Sequence, residues 1–461
     1  MKEYSATERN KKPSRRRLRA EPVFALGFLA IILCGALLLM LPAASNERIV
    51  TPFSDTLFTA VSATCVTGLV VVDTGTHWSL FGQSVILCMI QIGGLGFMSF
   101  ALFLLGALGK RVSPRFRNMT AQSFGLDTGA DIRRLVGRIF IGTAVIEGIG
   151  ALLLMTRTIP MLGIGRGIFA GVFLSVSAFC NAGFDPFGGV VTSAFSSMIE
   201  LRSDPLLLIV LSALIMLGAA GFLVWSDLWD RIVYHKRMSM YTRFVLAVTG
   251  CLLLGGCVLI ALLEWNNPAT IGELSVGQKL LQSFFQSVTP RTAGFDAIGQ
   301  TEMRDASKVI SMMLMFVGGA SGSTAGGAKI STVGVMLVAV WATLRGKQQI
   351  RVLKRTIPED VVFRAMCILF ILLVAIFGCA IVIVMLDGVP MEAALYECFS
   401  AFCTVGLSLS LTPTLGLVSK CLLIGAMYAG RVGILTLSCV LLHRDDDEDA
   451  IRYPTAKLLI G

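Results

Sequence analysis

Four glycine-centred tetrapeptides recur along this chain: Val66-Thr67-Gly68-Leu69, Asn181-Ala182-Gly183-Phe184, Thr292-Ala293-Gly294-Phe295 and Thr404-Val405-Gly406-Leu407. Their glycines stand 115, 111 and 112 residues apart. A near-constant period is a statement about architecture before it is one about any single motif. Four loops of one kind suggest four backbone segments meeting on a shared axis. Each unit reads as a long apolar span, a short apolar segment, the glycine loop and a second long span. The spans and short segments are 23–41, 53–64 and 82–108, then 139–155, 168–180 and 205–225, then 244–263, 276–289 and 309–344, then 366–386, 391–403 and 421–442. The repeats therefore occupy 23–132, 133–240, 241–357 and 358–443, between a basic tail (1–22) and a C-terminal tail (444–461).

The solvent for such spans is lipid. Charged residues make up 15% of the chain, against about 25% in a soluble domain, and mean hydropathy is +0.78. The 47 glycines exceed the usual share of about 7%, as close helix packing in a bilayer requires. A spanning helix needs about 20 residues, whereas runs of about 10–14 are more often re-entrant or buried. The short segments are half-helices that enter the membrane and turn back. Non-helical backbone at that depth survives only where it is buried in protein or lines a watery cavity. The expected fold is an all-α integral membrane protein of four pseudo-symmetric repeats, with eight transmembrane helices and four re-entrant half-helices around one central pore.

The net charge of +10 sits in blocks beside the spans, which fits membrane orientation and argues against nucleic acid. Basic clusters fill the N-terminal tail, 110–117 with Arg133, Arg134 and Arg138, 231–243 and 345–355. The linkers inside repeats are poorer in basic residues or acidic (Glu47, Glu264, Glu273, Asp387), with Arg157 and Arg166 as exceptions. The positive-inside rule places both termini in the cytoplasm and opens the glycine loops outward. The first span, 23–41, exceeds a signal peptide's apolar core of about 7–15 residues and reads as an uncleaved helix. The acidic run Asp445–Asp449 reads as a solvated tail, with a metal site as the alternative, and 452–461 as a docking or packing segment.

Enzyme chemistry has little to work with. His77, His235 and His443 are far apart in sequence and pair with no nucleophile motif, and no phosphate-binding loop or zinc spacing is present. Gly93-Gly94-Leu95-Gly96 lies within a span, where close packing explains it. The 12 cysteines lack disulfide or metal spacing, although Cys65, Cys180 and Cys403 recur just before three of the glycine loops.

A permeation path fits the loops. Carbonyl oxygens aimed at an axis can replace the hydration shell of a cation, and glycine allows the positive φ that turns them there. Half-helices whose C-termini face the centre add the negative ends of their dipoles. Candidate filter residues are Val66, Thr67, Gly68, Asn181, Ala182, Gly183, Thr292, Ala293, Gly294, Thr404, Val405 and Gly406. The three threonines can offer hydroxyls to the ion or satisfy backbone groups. Asp185 and Asp296, two residues beyond their glycines, would sit at the outer mouth and concentrate cations.

With four such units, the chain resembles the Trk/Ktr/HKT superfamily of potassium transporters over nearly its whole length. Thr404-Val405-Gly406 matches the core of a potassium-channel filter, while the other three loops are degenerate. A first repeat starting at residue 23, without an extra preceding helix pair, resembles Ktr-type membrane subunits more than Trk-type ones. The resemblance implies a potassium filter at the four glycines and a homodimer in the plasma membrane with one pore per chain. It further implies a cytoplasmic KtrA-like regulatory ring that carries the nucleotide, and sodium as an activator. No cofactor is expected on this chain beyond the transported K+.

Two further features gain meaning beside the resemblance. The stretch 317–328 within the second span of the third repeat holds Gly318, Gly319, Ser321, Gly322, Ser323, Thr324, Gly326 and Gly327, followed by Lys329. Each glycine costs a helix about 1 kcal/mol relative to alanine, so a break is expected, of a kind found beside ion sites in transporters. The family has an intramembrane gating loop at this position. Arg431 lies about ten residues from either end of its predicted span, where a cation is expensive and by default functional. The resemblance places it below the filter, where it either repels ions or latches the gating loop through carbonyls. A structural ion pair with Glu147 is the alternative. Lys329 is a candidate plug or brace. The function expected is potassium uptake through a gated filter. The alternative is a sodium- or proton-coupled secondary transporter, for which Glu147 is the support.

Overall fold

The computed structural model describes residues 20–96, 99–100, 102, 132–347, 349–353 and 355–433. Residues 1–19 of the basic tail, the C-terminal tail with its acidic run Asp445–Asp449, the basic cluster 110–117, His443 and the far ends of the spans 82–108 and 421–442 lie outside the described residues.

The described chain is helical throughout, apart from one two-stranded hairpin. In the first repeat, α1 (Ala20–Leu39) precedes α2 (Phe53–Thr64), a short α3 (Thr74–His77) and α4 (Leu80–Leu95). The second holds α5 (Ile132–Leu162), α6 (Ile164–Phe179), α7 (Pro205–Ala220) and α8 (Phe222–Tyr234). The third holds α9 (Met240–Glu264), α10 (Val276–Val288), α11 (Asp305–Phe316) and α12 (Ile330–Leu344). The fourth holds α13 (Glu359–Asp387), α14 (Met391–Phe402) and α15 (Leu417–Val432). The hairpin pairs β1 (Arg351–Val352) with β2 (Arg355–Thr356) at the end of the third repeat, an element the apolar pattern did not announce.

Residues Leu135–Leu162, Met240–Glu264 and Glu359–Asp387 are long and apolar enough to cross a membrane. They are the opening spans of repeats two to four. The helices that end at the glycine loops run 12, 16, 13 and 12 residues, which at 1.5 Å per residue carries them only partway through a bilayer. In each repeat the opening span packs on its own half-helix, α1 on α2, α5 on α6, α9 on α10 and α13 on α14. The closing span packs on the half-helix of the next repeat, α4 on α6, α7 on α10, α11 on α14 and α15 on α2. The last contact returns to the first repeat and closes a ring.

The closing spans differ from expectation. The sequence reads 82–108, 205–225 and 421–442 as unbroken helices, yet α4, α7 and α15 stop at Gly96, Gly221 and Gly433, with φ of 83°, 89° and 94°. A left-handed glycine ends each helix because it leaves the α region at no steric cost. At Gly221 the chain bends by 97° into α8. The third closing span breaks after Phe316, as its glycine density predicted, and resumes at Ile330.

Candidate functional site

The half-helices end at Cys65, Cys180, Thr289 and Cys403, and the glycine loops follow at once. All four loop glycines take positive φ: 93° at Gly68, 69° at Gly183, 79° at Gly294 and 95° at Gly406. So do the residues two places earlier, Val66 (58°), Asn181 (61°), Thr292 (68°) and Thr404 (50°). Between them Thr67, Ala182, Ala293 and Val405 keep the ordinary sign. Alternating the sign of φ turns successive peptide planes over, so neighbouring carbonyls face one side instead of alternating. The glycines were legible from sequence; their left-handed companions, three of them β-branched, were not.

The loops meet one another in order. A Cβ built on Gly68 would lie 2.5 Å from the carbonyl oxygen of Ala182, on Gly183 2.8 Å from that of Ala293, and on Gly294 2.5 Å from that of Val405. One on Gly406 would strike the carbonyl of Thr67. The contact runs from first loop to second, third, fourth and back to the first. Larger residues do not fit at any of the four.

Hydroxyls on the half-helices hold the loops, and these were missed. Gly68 N donates to Ser62 Oγ (3.1 Å) and Gly406 N to Ser400 Oγ (2.9 Å). Ser177 Oγ instead accepts from Phe184 N (3.0 Å) and donates to Phe184 O (2.7 Å), while Thr289 Oγ1 donates to Phe295 O (2.6 Å). The signal lay in a hydroxyl five or six residues before each glycine. Of the loop threonines, Thr67 and Thr404 keep buried hydroxyls with no partner among the described residues, whereas Thr292 Oγ1 lies 3.3 Å from the Asn181 amide. Arg291 stands where the other repeats have Cys65, Cys180 and Cys403; it is buried, and its Nε has no partner among the described residues.

The candidate mouth carboxylates are half-buried and engaged in their own turns. Asp185 Oδ1 accepts from Phe187 N (3.1 Å). Asp296 accepts from the amides of Ile298, Gly299 and Gln300 (3.1, 3.0 and 3.1 Å) and from Gln300 Nε2 (2.7 Å). Whatever field they lend the mouth, Asp296 also caps the turn beyond its filter loop.

The loop between α11 and α12 lies against the fourth glycine loop. Gly326 packs on the Thr404 side chain so closely that a Cβ would overlap it, and Gly327, at φ 63°, packs on Cys403. Gly318 N donates to Ala328 O (2.9 Å), which pinches the loop's base. Ala320 N reaches Ala219 O (3.0 Å), Phe222 N reaches Gly322 O (2.9 Å) and Thr324 Oγ1 reaches Phe179 O (3.1 Å), which stitches the loop to the second repeat. Gly319 fits between Ala325 and Ala219. Ser321 N donates to Tyr241 Oη (3.0 Å), and the Ser323 hydroxyl is buried with no partner among the described residues. Lys329 Nζ donates to Ala325 O (2.7 Å), so it braces its own loop.

Arg431 donates through Nη1 to Thr324 O and through Nη2 to Gly93 O and Gly94 O, the last at 3.2 Å. Carbonyls in the last turn of a helix have no intrahelical partner and carry the negative end of its dipole. Ending α4 at Gly96 leaves those of Gly93 and Gly94 for the guanidinium. The ion pair with Glu147 is not formed. Glu147 Oε2 accepts instead from Gln91 Nε2 (3.1 Å).

Broken spans, half-helices and a ring of glycine loops define a class: a multi-pass membrane protein built to handle cations. The chain belongs to the TrkH family of cation transport proteins, whose family model matches residues 25–447. It is a transport protein, not an enzyme. It is 38% identical to the Ktr system potassium uptake protein B of Bacillus subtilis over 96% of this chain and 97% of that one. It is also 38% identical to the potassium/sodium uptake protein NtpJ of Enterococcus hirae, over 98% and 99% respectively. The potassium transporter TrkH from Vibrio parahaemolyticus superposes with a TM-score of 0.68 at 18% identity, covering 94% of this chain and 87% of that chain. At that identity the likeness is one of fold.

Proposed function

We propose that this chain is a potassium uptake subunit in which K+ passes down its electrochemical gradient through the four glycine loops. The observation that carries the reading is the closed ring of glycines at positive φ, each abutting the next loop's carbonyl. Such a ring offers oxygens from all four repeats to one dehydrated cation, and four half-helix C-termini add negative potential around it. The names of the 38%-identical relatives, potassium uptake and potassium/sodium uptake, agree with this cargo.

Loop 317–328 is the gate in this reading. It lies directly against Thr404, and Arg431 holds it by the carbonyl of Thr324. Opening requires that bond to break and the loop to move away from the filter. In this reading the subunit works as a homodimer in the plasma membrane with both termini in the cytoplasm, regulated by a nucleotide-binding ring; the name of a 38%-identical relative, a Ktr system potassium uptake protein B, agrees with its being one part of a larger system.

The test is cation flux into liposomes holding the purified protein. Wild type is expected to pass K+ in preference to Na+, and Gly294→Ser to lose that preference, because its side chain has to displace the Val405 carbonyl. A variant that selects as wild type does would make the glycines mere turns. Flux that requires a sodium or proton gradient would point to coupled transport instead.

A further inference from the structure

The polar cluster that neither filter nor gate uses lies behind the second loop. Glu147 sits mid-way along α5, 9% exposed, in a span where an ionisable group is costly and persists for a function. Its Oε2 accepts from Gln91 Nε2 of α4 (3.1 Å). Cys180 Sγ, at the end of the second half-helix, donates to Gln91 Oε1 (3.5 Å) and lies 3.9 Å from Glu147 Oε1. The three side chains form a closed triangle across three helices. The backbone of the same residue takes part, since Ser175 Oγ of α6 donates to Glu147 O (2.7 Å).

Cys180 immediately precedes Asn181, the strained first residue of the second loop, whose amide meets Thr292 of the third. Gly94 packs on the thiol, where a Cβ would come within 2.6 Å of Sγ. Among the described residues the cysteine is engaged in this way only at the second loop: Cys65 and Cys403 show no bond to an amide or carboxylate side chain, and Arg291 stands at the corresponding place of the third loop. The second loop also lacks the hydroxyl-to-glycine-amide bond that Ser62 and Ser400 give the first and fourth. Ser177 holds its outer end at Phe184, and at the inner end the side chain of Cys180 adds to the backbone bonds of Asn181 N to Ala178 O (3.1 Å) and Ala182 N to Ser177 O (2.7 Å).

We infer that Glu147, with Gln91 and Cys180, is a positioning site that fixes the inner end of the second loop and thereby helps set which cation the ring selects. This rests on the glycine ring being the filter. Selectivity depends on the number and rigidity of the coordinating carbonyls, so a loosened second loop relaxes discrimination before it stops flux.

The experiment measures K+ and Na+ flux in liposomes for full-length wild type, Glu147→Leu, Glu147→Gln and Gln91→Leu, with thermal unfolding in detergent to establish that each is folded. Glu147→Leu and Gln91→Leu are expected to lower the K+ to Na+ flux ratio by roughly tenfold, about 1.4 kcal/mol, with K+ flux within a few-fold of wild type. Glu147→Gln keeps a group that Gln91 can bond and is expected to restore most of the ratio. Unchanged ratios in both leucine variants would overturn the proposal. So would loss of all flux from both in folded protein, which would place the triad in the path rather than behind it. A wild type that does not discriminate K+ from Na+ would instead remove the filter reading itself.

Discussion

Val66, Asn181, Thr292 and Thr404 occupy a left-handed conformation that costs a non-glycine residue about 1–3 kcal/mol. The strain persists because backbone bonds over-determine each loop: Thr67 N to Ser62 O at 2.8 Å, Ala182 N to Ser177 O at 2.7 Å and Val405 N to Ser400 O at 2.8 Å. Ser62 and Ser400 add their hydroxyls on the following glycine amides. Ser400→Ala removes one such bond, worth about 1 kcal/mol, and leaves the Gly406 amide unsatisfied. We expect a K+ to Na+ flux ratio several-fold lower with little change in expression; an unaltered ratio would show that the backbone bond alone suffices. At this scale the sequence was half legible. Glycine announces its own conformational freedom, but a valine or threonine forced to positive φ leaves no local mark. The hydroxyl anchors are visible only once each half-helix has been aligned on its glycine.

Elements that break are as informative as elements that span. The dense glycines of 317–328 gave away the third break because no helix tolerates so many. The glycines at 96, 221 and 433 did not, since sparser glycines inside an apolar run read as packing residues, as Gly93-Gly94-Leu95-Gly96 did. Their effect on the site is direct: the end of α4 frees the carbonyls that Arg431 takes, and the bend at Gly221 presents Ala219 and Phe222 to loop 317–328. A hydrogen bond to a charged group is worth about 1.5–3 kcal/mol. Arg431→Gln is therefore expected to raise K+ leak of the purified chain by roughly ten- to a hundredfold, measured as rubidium uptake into liposomes. Leak equal to wild type would mean that the loop is held shut by its stitching to α7 and α8. Lys329→Ala, which removes a bond inside the loop, should raise leak far less, because the tie between Arg431 and Thr324 remains.

The molecule as a whole is a ring written on one strand, and the ring has a seam where the fourth repeat meets the first. There α15 packs on α2, and Tyr428 Oη donates to Ala25 O at 2.7 Å across 403 positions of sequence. Tyr428→Phe removes that tie and is expected to lower the detergent melting midpoint by a few degrees, a loss of about 1 kcal/mol; an unshifted midpoint would assign the seam to packing alone. The fourfold plan was legible because equal spacing survives even where residue identities drift. The order of contact around the ring was not, because it depends on which closing span reaches which half-helix. Arg431 crosses this plan: it is carried by the fourth repeat and bonds to backbone of the third and the first. Its acceptors are all peptide oxygens, so the tie has no side chain at its far end for mutation to delete. Selection for constitutively open variants should therefore recover changes at Arg431 and at loop glycines, and seldom a conservative replacement of Thr324 that leaves the main chain in place.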